Sequence, residues 1–191
     1  MKRNAFSLVE LLVVISIIGL LIAIAVPAWN GIADGQRLTS ASESLSGGLR
    51  LARQLALAKS TPVEFRLYKV MPSDGISASY CAYALYQITD FGITNQLAEL
   101  TYFSNGTSLS TATMNGTSYS TLLTNGPGID SSSRDYNSFK FRPDGSTDLP
   151  PSSRWYATLV RDREATNTTL PPNYITIQID PLNGNVRSFR P

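Results

Sequence analysis

The sequence predicts an α+β chain in which one long N-terminal helix carries an antiparallel, β-rich head. Three observations predict it. The chain opens with an apolar run that holds no charge from Leu11 to Val26. An amphipathic pattern of period 3.6 then continues to about Lys59. After Thr61-Pro62 the period drops to two and recurs in short segments divided by Pro, Gly, Asn and Asp turns.

Composition bounds what such a chain can do. At 191 residues it suits one ordinary domain plus an appendage. The net charge of +2 is no more than Lys2 and Arg3 supply, so charge alone does not indicate a nucleic-acid binder. With no histidine and a single cysteine, Cys81, a His/Cys metal site and a His-dependent triad are both out of reach. No cofactor is expected. Cys81 cannot form an internal disulfide and reads as a small strand residue.

The helix is the first element. Its apolar segment, Phe6 to Ala28, is long enough to span a bilayer at about 1.5 Å per residue. Lys2 and Arg3 would hold its N-terminus in the cytoplasm. An ordinary secretory signal, cut near Ala23-Ile24-Ala25, and a plain signal anchor both fit this outline. Neither accounts for Glu10, because a carboxylate inside a bilayer costs roughly 2.5–3.5 kcal/mol and marks a functional pairing. Further on, Pro27 removes a backbone donor and predicts a kink. Leu38, Ala41, Leu45, Gly48, Leu49, Ala52, Leu55 and Ala56 fall on one stripe, with Glu43, Arg50, Arg53 and Gln54 away from it. Gly47-Gly48 is a weak point that serves either close packing or a bend.

The stretch FSLVELLVVI, Phe6 to Ile15, behind its basic leader, resembles the start of type IV pilins and type II secretion pseudopilins. That resemblance implies cleavage of the Ala5–Phe6 bond by a prepilin peptidase, N-methylation of Phe6, and a subunit-assembly role for Glu10 in the filament core. The exposed ammonium on Phe6 and a neighbour's Glu10 would neutralise each other in a low-dielectric bundle. Two departures stand out: Ala5 occupies the place of the usual Gly before the cut, and Ser7 that of the commoner Thr. The implied division is a leader over 1–5, a transmembrane or filament-core helix over 6–28, an amphipathic continuation over 29–59 and a head over 60–191.

In the head, Val63, Phe65 and Leu67 alternate with Glu64, Arg66 and Tyr68 as a half-buried strand. Ser79–Thr89 and Leu97–Phe103 read as the next two. In a regular strand Tyr83 would point away from Tyr80 and Tyr86. Residues 104–138 are rich in Ser, Thr, Asn and Gly without a clear period, and predict a long, exposed insertion holding one short hairpin. Phe139–Arg142, Arg154–Arg161, Tyr174–Asp180 and Asn185–Phe189 complete a meander, with Ile175, Ile177 and Ile179 inward and Asn183-Gly184 in a hairpin turn.

The segments Leu49–Tyr68, Phe141–Ser146 (FRPDGS) and Ile177–Phe189 (IQIDPLNGNVRSF) resemble the GspH/FimT branch of minor pseudopilins and pilins. The expected role is a structural subunit near a filament tip or in its initiation. Its partners are a prepilin peptidase, other pilin or pseudopilin subunits, and the bacterial inner membrane before assembly. The head would lie outside the cytoplasm and then in a pilus or pseudopilus. Arg187 and Arg190 leave open a second class, a DNA-contacting filament head, although Asp180 is close. The carboxylates Asp130, Asp135, Asp144, Asp148 and Asp162 lie in turn contexts, and without a nucleophile motif an enzyme is not expected.

Overall fold

The computed structural model describes all residues except 1–7, 73–76, 90–93 and 105, and the side chains of 24–31 also lie outside the description. The chain divides into two units, Met1–Gln36 and Arg37–Pro191. Helix α1 spans Leu8–Lys59 and contributes to both. Its end is set by Ser60, which takes a positive φ of 51°, a helix-terminating conformation, two residues before Pro62. The kink expected at Pro27 falls outside the described side chains.

Among the described residues twelve strands follow: β1 (Val63–Val70), β2 (Ser79–Ile88), β3 (Thr94–Gln96), β4 (Thr101–Tyr102), β5 (Thr107–Leu109) and β6 (Thr113–Met114), then β7 (Thr117–Ser118), β8 (Pro127–Ile129), β9 (Asp135–Phe141), β10 (Trp155–Arg161), β11 (Ile175–Ile179) and β12 (Val186–Phe189). The head is two antiparallel sheets rather than one continuous meander. One runs β3-β2-β1-β9-β8 with β4 also on β2, the other β12-β11-β10-β5, and β6-β7 is a separate hairpin. Of the strand expected over Leu97–Phe103 only Thr101–Tyr102 forms, as β4, and the short β3 precedes that span. β3 and β4 each pair with β2, while Leu97 donates to the Leu85 carbonyl between them and packs on the core.

In the second unit the apolar stripe of α1 is buried from Leu38 to Ala56 against one core. That core takes Val63, Phe65 and Leu67 from β1, Phe139 and Phe141 from β9, and Ile175, Ile177 and Ile179 from β11. Gly48 lies against the Tyr83 ring, and a Cβ there would overlap ring carbons, whereas one on Gly47 would meet nothing within 4 Å. Close packing is therefore the role of Gly48. Tyr83 stacks on Phe65 with centroids 5.1 Å apart and donates to the Ser44 carbonyl at 3.0 Å.

A register shift between Tyr68 and Lys69 corrects the expected side-chain alternation in β2. It sets Tyr80 opposite Lys69 and Tyr83 opposite Leu67, so these two tyrosines share a face. Tyr80 accordingly donates to Asn137 Oδ1 at 2.6 Å, across two strands. A bulge inserts one unpaired residue and reverses the alternation beyond it.

Residues 104–138 also depart from expectation, being built into the head instead of standing off it. Thr107, Ser108, Ser110, Ser120 and Leu122 are buried, β5 extends one sheet and β8 the other. Beyond β5, hydroxyls take over the edge of β10. Ser120 Oγ accepts from Thr158 N at 3.0 Å, and Thr121 Oγ1 accepts from Tyr156 N at 2.8 Å while donating to the Arg154 carbonyl at 3.0 Å. Buried backbone groups must be paired, and short hydroxyl side chains supply partners where no strand does.

Candidate functional site

In the first unit every large apolar side chain from Leu8 to Ile22 is exposed, between 44% at Val14 and 80% at Leu8. So extensive an apolar surface requires a bilayer or other protein around it. Ser16 returns its hydroxyl to the Leu12 carbonyl at 2.8 Å, so that polar group is satisfied within the helix. Gly19 has nothing within 4 Å of where a Cβ would stand. Glu10 sits exposed on α1, two residues into the described part of the chain. Ala5 and Phe6 lie outside the described residues. Among the described residues no helix is long and apolar enough to cross a membrane. The run from Phe6 to Ala28 extends past them at both ends, since the described side chains cover only Leu8 to Ala23 of it.

Arg187 and Arg190 have different surroundings. Arg190 donates to Thr39 Oγ1 at 3.2 Å and to Asn173 Oδ1 at 3.0 Å. Arg187, exposed on β12 opposite Gln178, lines a cavity of about 190 Å³ together with Arg154 and Asp180. Three of the loop carboxylates serve turn geometry. Asp130 accepts from the backbone of Ser132 and Arg134 and pairs with the Arg134 side chain at 2.7 Å. Asp144 accepts from Ser146 N at 2.9 Å, and Asp148 from Lys140 N at 2.8 Å. Despite partial burial, which opposes ionisation, the bonds from Arg134 and Ser132 hold the Asp130 carboxyl below its ordinary range. Cys81 is buried in β2, and burial pushes its thiol above the ordinary range, which leaves it a poor nucleophile.

The alternation of β1 leaves one feature invisible to sequence reasoning. On the face away from Phe65, the Arg66 guanidinium lies 4.0 Å from the centroid of Tyr86 and 4.5 Å from that of Tyr136, and bonds Glu64 Oε2 at 2.7 Å. Tyr68 joins the group through a 3.0 Å hydroxyl contact with Tyr86 and is fully buried beneath it. Alternation marks Glu64, Arg66 and Tyr68 as solvent-facing. The aromatic side chains of two neighbouring strands instead close over a charge pair.

Comparison with known proteins gives two kinds of likeness. Residues 1–26 match the family model described as the prokaryotic N-terminal methylation motif. No curated protein matches the chain. Among solved structures, the fold is similar to that of the minor pseudopilin EpsH from the Type 2 Secretion System of Vibrio cholerae. The TM-score is 0.50 at 10% identity, covering 81% of this chain and 98% of that one. It is similar also to the type IV minor pilin FimU of Pseudomonas aeruginosa, with a TM-score of 0.50 at 12% identity, covering 82% and 93%. The chain thus joins a prepilin-type N-terminal segment to a pilin-like fold.

Proposed function

We propose that this chain, a prepilin-type sequence on a pilin-like fold, is a minor pilin or pseudopilin of the GspH/FimT branch that acts in initiating a filament or at its tip. The observation that carries the reading is the exposed apolar length of α1 with Glu10 at its mouth, lying inside the methylation motif of residues 1–26. Before assembly the apolar segment rests in the inner membrane, with Lys2 and Arg3 on the cytoplasmic side and the head outside. A prepilin peptidase cuts Ala5–Phe6, and the new Phe6 terminus is N-methylated. The Phe6 ammonium of an incoming subunit then meets the Glu10 carboxylate of its neighbour. Once the apolar faces of several such helices are packed together, each charge satisfies the other where neither could be hydrated. The role is structural, with no catalysis asked of the head.

The test is the mature N-terminus of the protein recovered from its own membranes, read by mass spectrometry. N-methylated Phe6 is the expected result. A terminus near Val26 would make it an ordinary secreted protein and overturn the reading. Intact Met1 would mean that Ala5 blocks the peptidase, which also removes the chain from filament assembly.

A second reading draws on the shared cavity of Arg187 and Arg154, which gives the head a small basic surface for nucleic acid. Here a duplex DNA mobility shift that weakens with salt and disappears in the Arg187→Ala, Arg190→Ala double variant is expected. A shift unchanged in that variant would remove this surface from consideration.

A further inference from the structure

The largest cavity described in the head is used by neither of these readings. It encloses about 700 Å³ between the end of β1, the start of β2 and the turn after β10. Four cations, Arg37, Lys69, Arg161 and Arg163, line it together with Tyr80, Thr166 and, among the lining residues, a single carboxylate, Asp162. Lys69 and Arg163 are exposed, and Arg163 makes only a long 3.7 Å contact with Glu164, so both side chains can be reached by a ligand from solvent. Asp162 Oδ1 is buried and has no hydrogen-bond partner among the described residues, which leaves this carboxylate short of donors. An under-satisfied carboxylate among cations is costly unless something brings it an N–H or O–H.

We propose that this cavity binds an acidic oligosaccharide, one built of uronic acid units. Lys69, Arg161 and Arg163 take the sugar carboxylates, and a ring hydroxyl donates to Asp162. The volume suits a ligand of two or three sugar units. The lining discriminates between anions. A phosphodiester chain carries charge but no donor along its backbone, so Asp162 would repel it and stay short of donors. An acidic peptide brings backbone N–H donors but no ring hydroxyls, and it binds best where a free strand edge holds its main chain. A hydroxylated carboxylate supplies both the anion and the donor. The site is independent of the filament role and stands or falls separately.

Binding is to be measured by calorimetry on the full chain in detergent micelles, with trigalacturonate as probe and maltotriose, oligothymidylate and a Glu-rich peptide as comparisons. Trigalacturonate should bind at least about tenfold more tightly than each of the others, one charge-assisted hydrogen bond being worth about that much. The Lys69→Gln, Arg163→Gln double variant should weaken it by a further tenfold or so. Asp162→Ala should weaken trigalacturonate while leaving oligothymidylate unchanged or tighter, a split that simple charge attraction would not produce. If Asp162→Ala lowers the thermal midpoint, the exposed Lys69 and Arg163 pair decides the matter. Equal binding of maltotriose, tighter binding of oligothymidylate or the peptide, or no binding at all would overturn the proposal.

Discussion

Gly48→Ala should destabilise the head by about 1–3 kcal/mol, the usual cost of overpacking a filled core, even though alanine is the better helix former by about 1 kcal/mol. The neighbouring Gly47→Ala should do the reverse and stabilise by up to about 1 kcal/mol. The two glycines are adjacent in one helix, so propensity affects them alike and only tertiary contact separates them. A Cβ on Gly48 enters the Tyr83 ring, which cannot withdraw because it is stacked on Phe65 and bonded to the Ser44 carbonyl. A Cβ on Gly47 enters open space. Denaturant unfolding of the full chain in micelles, followed by near-ultraviolet circular dichroism of the head, reads both shifts. Shifts of the same sign would show that backbone entropy alone governs the pair and that the contact with Tyr83 is slack.

Glu10→Ala should leave the head folded and the chain in the membrane, and yet nearly abolish incorporation into filaments. Glu10 belongs to the first unit, and the described core of the head is built of residues from Leu38 onward. Its removal is therefore expected to leave the head core intact. Its removal also makes the apolar segment easier to hold in lipid, by roughly 2.5–3.5 kcal/mol for a carboxylate at full depth and less near the interface. In a packed bundle the same substitution leaves a neighbour's Phe6 ammonium without its counter-charge. An uncompensated buried charge costs several kcal/mol, which is about two orders of magnitude or more in the docking equilibrium. Quantitative immunoblots of sheared filament and membrane fractions measure the partition. Unchanged incorporation of Glu10→Ala would discard the charge-pairing account while leaving the cleavage site untouched.

The legible parts of the chain were those whose signal is local. The course of α1 as far as Lys59 follows from an apolar run and a helical stripe behind it, and the stop follows from Pro62. The alternation of Ile175, Ile177 and Ile179 places β11 and its buried face, since a period of two has only one register that hides all three. The turns at Gly145 and Gly184 were visible because each glycine takes a positive φ, of 83° and 64°, that other residues adopt at a cost. The motif at residues 1–26 belongs with these, as a linear pattern matched without reference to any contact of the head.

Other features were decided by the approach of segments distant in sequence. The turns at Gly145 and Gly184 press against one another, so that a Cβ on Gly184 would strike the Gly145 carbonyl oxygen. No local pattern announces that contact. The bulge that turns Tyr80 to the side of Tyr83 depends on the partner strand, because a register shift exists only between two strands. Residues 104–138 look like loose chain because polar composition is a record of side chains alone. Those hydroxyls are buried because the edge of β10 has backbone groups that need partners, which only the assembled sheet presents. The sequence by itself determined the helix, the inward face of β11 and the N-terminal motif, where each residue's neighbours along the chain carry the information. Tertiary structure alone decided the two-sheet order, the Gly48–Tyr83 contact, the Arg66 enclosure and the charged cavity, because in each the energy lies between residues that the sequence sets far apart.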